Sequence, residues 1–221
     1  MIAIVVAVVL VAGVGAFFLL RGGGDGEPGH DGTGSPLPSP GEQTPEFHFK
    51  LRSTKVIPVV TGKKKSSGAK DDVAEVKDRL STMYALAFLD PTRWQPGDYE
   101  TVYGFFSLGD TAASAKRDTE VLTLGSNAGD TFESVKPKYG ALVVRVLTDK
   151  TGVPFTISAK ADFTAIGDQK NGKTMVIKSH ATYILQSGEG GWVIVGYKAK
   201  RTDHAGGAAP TPKTSGTGGS G

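Results

Sequence analysis

The stretch Ser179–Arg201, "SHATYILQSGEGGWVIVGYKAKR", decides the architecture of this chain. Hydrophobic and polar residues alternate on both sides of the glycine-rich segment at residues 187–191, which reads as two long strands joined by a turn. Upstream, "KTMVIKSHATYILQ" follows "PFTISAKADFTAIG" across a turn containing Asn171-Gly172, a strong hairpin pair. Before that, "ALVVRVLTD" leads into a turn at Lys150-Thr151-Gly152. Everything from Thr131 onward therefore reads as antiparallel strands.

The period changes upstream. In "KDDVAEVKDRLSTMYALAFLD", Val73, Val76, Leu80, Met83, Tyr84 and Ala87 recur at three and four. That spacing predicts an amphipathic helix. Asp71 and Asp72 suit its positive N-terminal end, and Pro91 stops it. "PTRWQPGDYETVYGFF" reads as a short irregular or helical piece, and Asp110 to Gly125 as a second helix closed by glycine. Helices first and long strands after predict an α+β domain, its N-terminal helices packed on one face of a curved antiparallel sheet. "FHFKLRSTKVIPVV", Phe47 to Val60, adds a period-two strand ahead of the helices.

Outside that domain the composition shifts. Ile2 to Leu20 carries no charged or polar side chain. As a helix it would span about 28 Å, close to the roughly 30 Å hydrocarbon core. Val14-Gly15-Ala16 has the small-residue form of a cleavage site, but Phe17 to Leu20 continue the apolar run. Residues 1–21 are thus expected to be an uncleaved transmembrane signal anchor in contact with the lipid bilayer through residues 2–20. Residues 22–46, rich in Gly and Pro, read as a disordered linker, 47–202 as the folded domain, and 203–221 as a disordered tail. A short N-terminal end, one span and a long polar domain favour a cell-membrane location with the domain outside the cytoplasm.

The chain has 221 residues and a net charge of +3. Its cations are scattered along the sequence without a basic stripe and interleaved aromatics, which argues against nucleic-acid binding. The absence of cysteine excludes disulfides, thiol nucleophiles and Cys-ligated metals. The sequence contains no Gly-rich phosphate loop, no H-E-x-x-H and no G-x-S-x-G. His30 lies in the linker, and four histidines make a poor metal cluster. No cofactor and no metal are expected.

With regular alternation, Phe155 to Ala165, Met175 to Leu185, Val193, Val195, Tyr197 and Ala199 share one inward face with Leu142, Val144 and Val146. Its polar groups are the hydroxyls of Ser179, Tyr183 and Tyr197, which mark the place of a possible pocket. His180 points outward among Lys160, Lys178, Lys198 and Lys200, so it is not expected to be a catalytic base. The outer face also carries Val143, Ile184, Trp192 and Ile194, the composition of an interface for a homodimer or another protein. A β-bulge would reverse part of a strand.

The order of helix with "MYALAFLDP", strand "ADFTAIG" and closing pair "HATYILQ…GWVIVGYKAKR" resembles the nuclear transport factor 2-like cone fold. The resemblance spans about Asp71 to Arg201. With the leading apolar span and tether, the chain looks like anchored members of that superfamily. These include membrane proteins associated with mammalian-cell-entry transporters and the inner-membrane assembly component of type IV secretion systems. The resemblance implies a non-catalytic accessory protein that assembles with a complex of the bacterial cell envelope. The same fold hosts isomerases and dehydratases, so a tethered small apolar ligand binder or such an enzyme is the alternative.

Overall fold

The computed structural model describes residues 45–59, 68–94, 98–188 and 190–206. The expected membrane segment at 2–20, most of the linker at 22–46 and the end of the tail lie outside these. Among the described residues, no helix is long and apolar enough to cross a membrane.

Five strands form one sheet in the order β1-β2-β3-β4-β5, with β1 at Lys50–Pro58, β2 at Phe132–Thr148, β3 at Pro154–Gln169, β4 at Thr174–Gly188 and β5 at Gly191–Ala205. The last four make antiparallel hairpins. β1, the strand ahead of the helices whose place the sequence leaves open, pairs with β2 in parallel. All the helices among the described residues come between these two strands, so the connection is a helical crossover rather than a tight turn. β5 runs to Ala205, which pairs with Met175, so the sheet continues past the boundary expected at residue 202.

The first helix, α1, spans Ala69–Tyr84 and continues as a π-helical turn through Leu89. It buries Val73, Val76, Leu80, Met83 and Tyr84, the stripe that the three-and-four spacing predicts. A 3₁₀ turn follows at Pro91–Arg93, where the Asp90 carboxylate accepts from the Thr92 amide at 3.0 Å. Four short helices complete this layer: α2 at Glu100–Tyr103, α3 at Asp110–Arg117, α4 at Thr119–Leu122 and α5 at Ala128–Thr131. The single helix expected over 110–125 is therefore two, broken at Asp118. Gly125, which follows, has φ +90°, a conformation that glycine adopts freely.

The core lies between the helices and the inner face of the sheet. Ile157, Ala159, Ala161, Phe163 and Ala165 alternate into it with no exposed surface. The small alanines leave room above the sheet, and aromatic rings fill it. Phe47 and Phe49 precede β1, and both are buried there. Phe47 packs edge-on against Phe163 at 5.3 Å, and Phe49 against Tyr84 at 4.9 Å. Tyr84 and Phe88 from the helix lie 5.3 Å and 5.1 Å from Phe163. Each such pair contributes about 0.5–1.5 kcal/mol beyond its buried area. Phe47 reaches its place because Gly140 has no side chain: a Cβ there would lie 2.5 Å from the Phe47 ring.

Candidate functional site

Three places were singled out by the sequence: the inward hydroxyls, the outward histidine and the Trp192 face. A fourth emerges only from the fold.

Ser179 and Tyr183 point inward, as alternation predicts, and both are buried. Their hydroxyls meet that of Tyr84, at 3.3 Å from Ser179 and 3.2 Å from Tyr183. Tyr84 comes from the helix, so this cluster joins the two layers through polar groups that satisfy one another. Burial pushes both tyrosine hydroxyls up, Tyr183 well above the usual range. The cluster is thus uncharged and surrounded by rings. Tyr197 does not join it. It is half-buried near the sheet edge, where its hydroxyl donates to Asp118 at 2.8 Å and its ring packs on Phe106 at 5.3 Å.

His180 is exposed on the outer face, and its Nδ1 lies 2.7 Å from Asp162 Oδ1 on the neighbouring strand. The two residues are directly paired in the sheet. Among the described residues, no hydroxyl hydrogen-bonds the other ring nitrogen. The pair is a surface ion-pair geometry in open solvent.

Trp192 and Ile194 require a correction. Both are core residues, 2% and 1% exposed, and not part of an outer interface. The reason is a bulge in β5. Ile184 pairs with Gly196 but Leu185 pairs with Ile194, which leaves Val195 as the extra residue. Beyond it Tyr197 and Ala199 face inward; before it Trp192 and Ile194 do, while Val193 and Val195 are half-buried. The bulge forms where Phe105–Ser107 runs beside β5: the Ile194 amide donates to the Phe105 carbonyl, and the Ser107 amide to the Ile194 carbonyl. Trp192 then ties the strand to α1. Its Nε1–H donates to Asp72 Oδ1 at 3.1 Å, and its backbone N–H to Glu75 Oε1 at 3.2 Å. Ile184 and Val143 do lie on the outer face, both half-buried.

The fourth place is a cleft of about 740 Å³ between β1 and α1. A bulge at Arg52 in β1 puts Leu51, Thr54 and Val56 on the inner side of this edge strand, in register with Leu142, Val144 and Val146. Ala69, Val73 and Ala74 of α1 line the cleft with Phe49, and Lys55, Lys70 and Lys77 complete the lining. The Phe49 amide donates to Ser81 Oγ at 3.1 Å, and the Ser81 hydroxyl donates back to the Lys77 carbonyl at 2.6 Å, which pins β1's approach to the helix. Leu51 remains 43% exposed inside this opening. The lining is apolar with cations at its mouth and contains no carboxylate or histidine. Such a cleft can hold an apolar side chain or acyl group and attract an anionic end. Sequence reading missed it because the Arg52 bulge shifts Leu51 and Thr54 onto one face, which strict alternation forbids.

Among the described residues, no group of His, Asp or Glu could hold a metal ion. No protein-family model, no curated protein and no solved structure matches the chain.

Proposed function

We propose that this chain is a single-pass membrane protein whose α+β domain, outside the cytoplasm, serves as a docking module in a transport or secretion complex of the cell envelope. The apolar run of residues 2–20 supplies the anchor and residues 22–46 the tether. The observation that carries the docking role is the cleft between β1 and α1, with Leu51 held open to solvent over a buried Phe49. The interior, where enzymes of cone-like folds keep their acid or base, is here occupied by four aromatic rings and a self-satisfied hydroxyl cluster. A partner that inserts an apolar side chain against Leu51, Val56 and Val73 gains the burial that the free domain lacks, about 1.5–3 kcal/mol for one aliphatic side chain.

The test is the size of the particle extracted from native membranes in mild detergent. The wild-type chain is expected in an assembly much larger than itself. Leu51→Glu, which puts a charge on the cleft wall at an exposed position, should run as the free protein. Equal sizes for the two would refute docking through the cleft.

The cleft also favours a second reading, a tethered binder of a small apolar or amphipathic anion, because its volume exceeds the roughly 300 Å³ at which ligand pockets begin. Native mass spectrometry of the purified chain separates the two: a bound small molecule that disappears in Leu51→Glu supports this second reading.

A further inference from the structure

Charge is unevenly divided in this domain. The helical layer carries exposed Asp98, Glu100, Asp110, Asp118, Glu120 and Asp130. The outer face of the sheet is the opposite. The register brings Arg145, Lys160, Lys178, Lys198 and Lys200 to one side. No strand contributes more than a few, so the array exists only in the folded sheet.

These cations are unspent. Among the described residues, Arg145, Lys160, Lys178, Lys198 and Lys200 make no salt bridge, whereas Lys77, Arg93 and Lys116 of the helical layer each sit within 3.3 Å of a carboxylate. Two anions of the outer face among the described residues, Asp162 and Asp168, are engaged already. Asp162 is held by His180 at 2.7 Å, and Asp168 accepts from Ser134 at 2.8 Å and lies 3.6 Å from Lys136. A field of unpaired cations of this kind is self-repulsive, and an anionic partner relieves it.

We propose that the outer face of the sheet lies against a bilayer surface rich in anionic lipid headgroups, so that the helices and the β1–α1 cleft face away from the membrane. The array is two-dimensional: strands stand about 4.8 Å apart and every second residue of each points outward. A plane of headgroups matches such a grid. Nucleic acid is tracked instead by a groove with aromatic stacking platforms. On this face the aromatic among the described residues is Tyr139, and Arg52 already covers its ring at 5.4 Å. The placement rests on the membrane reading above only for the proximity that the anchor provides.

The experiment uses the full chain in lipid nanodiscs, either of neutral phosphatidylcholine or with phosphatidylglycerol added. Retention on the disc reads the anchor; labelling of lysines by a water-soluble reagent, mapped by mass spectrometry, reads the docking. Lys160, Lys178, Lys198 and Lys200 should be protected in anionic discs, labelled in neutral discs, and released from protection by high salt. Lys116 on the helical layer should label equally in both. The paired change Lys160→Glu with Lys200→Glu, at exposed positions, should abolish protection of Lys178 and Lys198, since each cation contributes about fivefold to the association. Retention in both discs with no lysine protected overturns the docking and leaves the anchor standing. Loss from neutral discs with protection in anionic ones does the reverse. Protection by a DNA oligonucleotide without protection by anionic discs also overturns it.

Discussion

Replacing Trp192 by alanine should cost most of the stability of the domain. The indole is 2% exposed, and a ring of this size buries about 150–250 Å². At about 25 cal/mol per Å² that corresponds to about 4–6 kcal/mol of transfer free energy. Large-to-small aromatic replacements in packed cores cost about 3–5 kcal/mol. The hydrogen bond from Nε1–H to Asp72 adds about 1 kcal/mol, because Asp72 is half-buried and regains water when its partner leaves. The bond from the backbone N–H to Glu75 survives the change. A loss of about 4–6 kcal/mol approaches the whole stability of an ordinary domain, about 5–15 kcal/mol. Urea unfolding followed by circular dichroism is the assay. The midpoint should fall by about 2 M or more for Trp192→Ala, and Trp192→Lys should not fold. Trp192→Phe keeps a ring, loses the N–H and should fall between wild type and alanine. A Trp192→Ala variant within about 1 kcal/mol of wild type would refute the inward bulged register of β5 and restore Trp192 to the surface.

The remaining predictions use the same unfolding measurement or a titration. Gly140→Ala places a methyl group against the Phe47 ring and should destabilise by about 1–3 kcal/mol, with a smaller effect when Phe47→Ala is made first. His180→Ala removes an exposed ion pair and should change stability by less than about 1 kcal/mol; a larger loss would mean that the His180–Asp162 pair is a structural centre. At alkaline pH the tyrosines govern. Burial raises Tyr99 to about 12, and raises Tyr84 and Tyr183 as well, so the fold favours their neutral forms. Their contribution is fully present below pH about 10, where the unfolded chain's tyrosines are protonated, and is lost as pH rises through the folded values. Stability should fall above pH about 10. Tyr99→Phe should make that fall shallower, and an unchanged slope would count against burial as its cause.

The order of elements was readable because each rests on a local period. Val73, Val76, Leu80 and Met83 mark one stripe of α1, and the alternation of β3 and β4 places Ser179 and Tyr183 inward and His180 outward. The errors arise where a distant segment sets the local geometry. Val195 bulges because Phe105–Ser107 pairs with Ile194, and nothing in "WVIVGYK" announces a partner so far away in the chain. Phe47 and Phe49 read as side chains of an ordinary strand, yet both are buried, packed on Phe163 and Tyr84. Ser179 and Tyr183 meet the Tyr84 hydroxyl, while Tyr197 belongs to a different contact with Asp118. The scattered lysines form a field only when four hairpin-linked strands are set side by side. The β1–α1 cleft depends on the Arg52 bulge and on a helix packed against an edge strand, neither of which has a sequence period.

We propose above that residues 2–20 hold the domain on the outer side of a membrane. The most direct test is fractionation of cells that produce the untagged full chain, with protease then added to intact cells stripped of their wall. The account predicts that the whole chain is in the membrane fraction and that its domain is digested from outside. A soluble mature form released from the cells, or a domain fully protected until the cells are lysed, would contradict it.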